Sequence, residues 1–159
     1  MPIAGTIVWL VIAVAGANLP RMWAPLFLAA ATGAIFPIAL LIAKFRHEEL
    51  VSSPNPLAKL MGACIVMVNL LWAVHVPLLM GAPGYFPLSL AVALGMHWIV
   101  YSWVIQHNVG ITHALLRTAL VLAAWLAFPQ QQISAVAVAV VIAYSISIAQ
   151  MQSRKVSGV

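Results

Sequence analysis

Chemistry in this chain has few places to reside. Its only acids are Glu48 and Glu49, and it has no aspartate. Paired-carboxylate catalysis within the apolar runs, carboxylate proton relays and carboxylate metal cages are therefore excluded. A Ser/His/Asp arrangement lacks its acid, and no phosphate loop or zinc spacing occurs. Histidine remains, with aromatic and amide neighbours. Asn69, Trp72 and His75 follow one another by three, and His97 and Tyr101 are four apart, so each set shares a broad helical face. This spacing predicts a polar pocket between the third and fourth apolar segments, with Asn69, Trp72, His75, His97 and Tyr101 as candidate ligand-binding residues. The competing reading is a plain hydrogen bond from His97 to Asn69 that pins two helices. His75 and His97 differ in depth by several ångströms, which suits a shared haem poorly, so no cofactor and no metal is expected.

A second set is cationic. Lys44, Arg46, Lys59, His113 and Arg117 would gather at one membrane face and could bind anionic lipid head groups or a phosphate-bearing molecule. His113 and Arg117 are four apart on one helical face. Arg117 lies about 9 Å inside its segment at 1.5 Å per residue, within reach of the interface by snorkelling. The alternative is ordinary positive-inside topology. His47 and His107 fall with the same group, and the lone Cys64 reads as a small core residue.

The elements that must position these groups are set by composition. Of 159 residues, 65% are hydrophobic and 6% charged, with mean hydropathy +1.10. So few charges cannot cover a soluble globule, and the long apolar runs exclude both disorder and the alternating pattern of a barrel. An all-α integral membrane bundle is expected, one domain over 1–159. Its six spans run roughly over Ile3–Leu19, Trp23–Phe45, Leu57–Leu79, Phe86–Ile105, Ile111–Phe128 and Ile133–Met151, paired as three hairpins. The first is the shortest, and a re-entrant first segment would put the termini on opposite sides. Nothing basic precedes it, so it reads as a retained helix rather than a secretory signal. With six spans, Lys44, Arg46, Lys59, Arg154 and Lys155 fall on one side and Arg21 alone on the other, placing both termini in the cytoplasm. Net charge +5 is then a topology signal, and no nucleic-acid partner is expected. Trp23, Tyr85, Phe86, Trp125 and Phe128 mark the far boundary as an aromatic belt.

A weak tandem repeat runs through the first four spans. Pro25-Leu26, Leu28-Ala29, Ala31 and Gly33 return 62 positions later as Pro87-Leu88, Leu90-Ala91, Ala93 and Gly95. Trp9, Val11 and Pro20 match Trp72, Val74 and Pro83 one position further on. Hairpin arithmetic sets Trp9 opposite Gly33 and Trp72 opposite Gly95, as two close-packed joints that leucine at either glycine would disrupt.

Three stretches carry a family resemblance. They are Gly33-Ala34-Ile35-Phe36-Pro37, Asn55-Pro56-Leu57-Ala58-Lys59-Leu60, and Gly95-Met96-His97-Trp98 continuing to Tyr101-Ser102-Trp103. From about Trp23 to Gln106 the chain resembles a family of small uncharacterised bacterial multi-pass membrane proteins, a domain of unknown function. The resemblance implies a bacterial cytoplasmic (inner) membrane location and carries no activity or catalytic residue. The chain departs from it at the N-terminus, where a longer lead-in is expected. The function expected first is binding or transport of a small molecule or lipid, by a homo-oligomer or within a larger membrane complex. The alternatives are a membrane enzyme with His97 or His75 as general acid/base and Tyr101 as proton donor, and an accessory or scaffold subunit.

Overall fold

In a computed structural model, residues 2–45 and 58–153 are described. Among these the chain is all helix: α1 (Pro2–Asn18), α2 (Ala24–Gly33), α3 (Ile35–Phe45), α4 (Ala58–Leu70), α5 (Trp72–Gly81), α6 (Phe86–Val104), α7 (Val109–Ala127) and α8 (Gln132–Gln152). Two pairs are single rods with a break. Between α2 and α3 the chain departs from helix at Ala34, just before Pro37, which offers no N–H to the carbonyl of Gly33. Between α4 and α5 the break is at Leu71, and Pro77 lies inside α5. Five helical stretches, Ala24–Phe45, Gly62–Gly81, α6, α7 and α8, are long and apolar enough to cross a membrane. The apolar α1 has 17 residues. These elements agree closely with the six expected segments.

Packing runs along a chain of neighbours: α6 on α7, α7 on α8, and α8 on α1, with α2 and α3 against α1 and α4 and α5 on α6 at the rim. First and last helices are therefore partners, an arrangement that three successive hairpins do not anticipate. Small residues make the contact close, because lipid supplies no hydrophobic drive between helices. A methyl on Gly5 would meet the Tyr144 ring, and one on Gly16 would meet Ile133. Ser134 also donates to the Ala13 carbonyl at 2.9 Å. The start of α1 thus lies beside the later turns of α8, and its end beside the start of α8. The two helices run antiparallel along their length, and the described chain ends share one end of the bundle. The α1–α2, α5–α6 and α7–α8 turns share the other.

Two packing expectations are corrected. Gly33 is exposed, and a methyl there meets nothing within 4 Å. Gly95 faces the Arg117 stem rather than Trp72. Equal-distance arithmetic assumes straight helices, and the breaks beside Gly33 and at Leu71 defeat it in both hairpins. Phe86 also leaves the aromatic belt: it is fully buried, while Trp23, Tyr85 and Phe128 stay more than half exposed. Trp125 packs on Tyr85 and donates to the Gly84 carbonyl at 2.7 Å, joining two turns.

Candidate functional site: a buried guanidinium among four helices

The inward face of α7 carries Val109, Gly110, His113, Ala114, Arg117 and Val121, while Leu115, Leu122 and Leu126 point outward. Arg117 is eight residues from the start of α7 and ten from its end, close to mid-helix. Its side chain is 0% exposed. This corrects the expectation that Arg117 snorkels and that it and His113 join a surface cation group. Both point into the bundle, because their face is the small-residue face that meets α6 and α8. Lys44 is exposed at the end of α3. Arg46 lies outside the described residues, as does the side chain of Lys59.

Aromatic rings rather than acids surround the Arg117 charge. Its Cζ lies 5.3 Å from the Trp9 ring centroid and 5.6 Å from that of Tyr144. Each such contact is worth about 0.5–2 kcal/mol. Nη1 donates a long hydrogen bond to the Tyr144 hydroxyl at 3.5 Å. Gly95 on α6 makes room, since a methyl there would sit 3.0 Å from Arg117 Cδ. No acidic residue occurs in α1, α6, α7 or α8.

One helical turn away, His113 is also fully buried. Trp98 stacks on it at 4.0 Å and 24°, and Tyr144 lies at 4.9 Å. His113 Nδ1 is 2.8 Å from Ser147 Oγ, which donates to the Ala143 carbonyl at 2.9 Å. A serine hydroxyl has one proton, and the carbonyl takes it. In the tautomer that goes with this hydroxyl orientation, Nδ1 donates toward Ser147 and Nε2 is the bare nitrogen of the neutral ring. Below this pair α7 begins tightly against α6: Ile111 N–H donates to Ser102 Oγ at 2.8 Å, and Gly110 abuts the backbone at Trp98.

The cluster leaves an unusual remainder. Arg117 Nε and Nη2, Trp9 Nε1, Trp98 Nε1 and His113 Nε2 are buried without a hydrogen-bond partner among the described residues. Apart from His113 Nε2, all of these can only donate. With Nη1 turned to Tyr144, the free Nε and Nη2 form the side-on edge of the guanidinium, which matches two oxygens of a carboxylate or phosphoryl group. Buried polar groups without partners are few in folded proteins, and each needs a reason. An acceptor-rich oxyanion complements this set, and a cation is excluded by it. Among the described residues no group of three or more His, Cys, Asp or Glu is placed to hold a metal.

The residues expected around the third and fourth segments divide differently. Trp72 and His75 come together at 5.7 Å, with Phe86 at 6.3 Å from His75 and Ser89 Oγ 3.0 Å from His75 Nδ1. Tyr101 packs edge-on to Trp98 at 5.4 Å, and the half-buried His97 flanks the same indole at 6.3 Å. Both border the Arg117 cluster. Asn69 does not join them: it is exposed, and its amide donates to Ile65 on its own helix at 2.7 Å. Six residues on a 3.6-residue helix leave Asn69 and His75 about 120° apart, and the break at Leu71 intervenes. Trp9, Tyr144 and Ser147 carry no sequence signal of a site: the α1–α8 contact brings Trp9 to Arg117, and the α7–α8 pair brings Tyr144 and Ser147.

Two cavities of about 310 Å³ each lie at the turn end, away from this cluster; Gln130 and Gln131 line both, and Arg21 lines one of them. Arg21 donates there to Gln130 Oε1 at 2.9 Å.

Fold and site together define a helical bundle with segments long and apolar enough to cross a membrane and a cationic, donor-rich centre. The chain belongs to a family of unknown function, DUF7010, whose model matches residues 1–154. The match extends the resemblance seen in the sequence across α1 and α8, the helices that close the site. No curated protein and no solved structure matches the chain.

Proposed function

We propose that this protein is a bacterial inner-membrane binder or carrier of a small oxyanion-bearing molecule, held inside the bundle by Arg117. The observation that carries the reading is the free Nε/Nη2 edge of a fully buried guanidinium with no carboxylate on any helix around it. An arginine keeps its charge. Placing one at the centre of a membrane helix costs about 2.5–3.5 kcal/mol on insertion scales. Contacts to Trp9 and Tyr144 offset part of that cost, and a bidentate anion would offset the rest while neutralising the charge.

The site is shifted from the third and fourth spans to a centre formed by the first, fourth, fifth and sixth. All six helices cross in this reading, since α1 runs the length of α8. The Lys/Arg excess puts both termini, and the His113 end of the site, in the cytoplasm. Arg117 is closed off by the packed helices, so a ligand enters only when they separate.

The test uses the full chain in lipid nanodiscs, with acetate, methyl sulfate and methyl phosphate titrated calorimetrically. Saturable binding of at least one, lost in Arg117→Gln, is expected. Absence of binding by all three, or binding that Arg117→Gln leaves intact, would overturn the reading.

A further inference from the structure

The bare Nε2 of His113 narrows the ligand beyond a generic oxyanion, provided that Arg117 holds an anion as proposed above. With the Ser147 hydroxyl donating to the Ala143 carbonyl, the neutral ring carries its proton on Nδ1. Nε2 then presents a lone pair, buried and without a partner, one turn from the guanidinium and against the same Tyr144 ring. A fully deprotonated anion satisfies Arg117 but sets its oxygens against that lone pair. An anion that also carries an acidic O–H satisfies both, with two oxygens on Nε and Nη2 and the hydroxyl donating to Nε2. Carboxylates and sulfate esters have no such proton near neutral pH. A phosphomonoester does, its second pKa being about 6.

We infer that the site takes a phosphomonoester-type group, and that the bound group and His113 hold one proton between them. The charged or titratable groups facing His113 are Arg117 on its own helix, His97 on α6 and Tyr144 on α8, with Tyr101 one ring further on against Trp98; α1 supplies none. No carboxylate occurs among the described residues to supply or take that proton, so it arrives with the ligand or from water. The same head group occurs on a soluble monoester and on a lipid such as phosphatidate, and the chemistry at Arg117 is shared.

The experiment is calorimetry on the full chain in nanodiscs free of phosphomonoester lipid, at pH 5, 6.5 and 8. Methyl phosphate affinity should fall about 100-fold from pH 5 to pH 8, tracking the monoanion fraction set by a pKa near 6. Titrations at pH 8 in buffers of different ionisation enthalpy should count about one proton taken up per ligand, a measurement that needs no variant. At pH 6.5 methyl sulfate and acetate should bind at least tenfold more weakly. His113→Phe keeps the ring stacked on Trp98 and should erase both the pH dependence and the preference over sulfate. Dodecyl phosphate in place of methyl phosphate separates the sources. Binding of the long-chain ester alone assigns a lipid head group, and binding of both assigns a soluble monoester. Equal affinities for phosphate and sulfate esters, without proton uptake, would overturn this inference and leave Arg117 as a general oxyanion site. If none of the probes binds, the Arg117 reading itself fails.

Discussion

The two halves of the core, divided at the level of Arg117, are built from different materials. Toward the end shared by the chain termini lie His113, Ser147, Ser102, Trp98 and Tyr144, all at least 94% buried. Toward the turn end lie Ile12, Leu28, Phe86, Leu90, Val136 and Val140, each at most 1% exposed. One half is a ladder of hydroxyls, imidazole and indoles, and the other is hydrocarbon with one polar pair, His75 and Ser89, beside Phe86. The polar half has a cost that lipid does not repay: interhelical hydrogen bonds in membranes average about 0.6 kcal/mol, and an unpaired buried donor costs about 1–3 kcal/mol. A bundle selected for stability alone would be dry throughout. In the proposed function the polar half would serve a ligand and give it a one-sided approach, with the apolar half as the seal.

The largest effect should come from removing the charge at the boundary. Arg117→Met replaces an unpaired buried cation with an apolar chain of similar length. It should abolish oxyanion binding and leave the detergent-solubilised protein as stable as the parent or more so, by about 1–4 kcal/mol, the range for replacing buried charges with apolar groups. A thermal melt read beside a binding titration checks both. A large loss of stability would mean that the arginine is a structural pin and that the halves differ for packing reasons.

Next is a paired test of the two repeat glycines. Gly95→Leu drives a side chain into the Arg117 stem and should cost about 1–3 kcal/mol, as overpacking does, with binding lost. Gly33→Leu enters open space and should stay within about 0.5 kcal/mol of the parent. Equal losses at both positions would restore the symmetric joints that the tandem repeat suggests.

Accessibility sharpens the contrast between halves. In a Cys64→Ala background, Ser147→Cys and Ser102→Cys should react with a water-soluble thiol reagent measurably faster than Val136→Cys or Leu90→Cys. Comparable rates would mean that water enters both halves alike.

The smallest effect belongs to the turn end. Trp125→Phe removes the hydrogen bond to Gly84 and should cost about 0.5–1.5 kcal/mol of stability, with oxyanion affinity unchanged. A change in affinity would tie the dry end to the site.

Most of the bundle is legible in the chain because bilayer thickness fixes segment length, and proline, glycine and polar turns mark the ends. The neighbours of each helix are less so. The α1–α8 contact joins residues more than a hundred positions apart, and nothing in a single sequence pairs Gly5 with Tyr144. Arg117 is partly legible. It shares a face with Gly110 and Ala114, and small residues mark helix contacts, whereas Leu115, Leu122 and Leu126 mark lipid. That pattern points inward, while the proximity of other cations suggests the surface. His97 and Tyr101 reach the border of the site through their α6 spacing. Asn69 is lost because a three-residue spacing drifts around a helix and α4 ends before His75 begins.

The most direct measurement is the nitrogen NMR signal of Arg117 in protein labelled at arginine, assigned by its loss in Arg117→Lys. On titration with methyl phosphate at pH 5.5, the Nε and Nη2 resonances should move and their protons exchange more slowly, as the side-on edge acquires an acceptor. Resonances that stay fixed at saturating ligand would show that the guanidinium edge takes no anion, contradicting the assignment of Arg117 as the anion's seat.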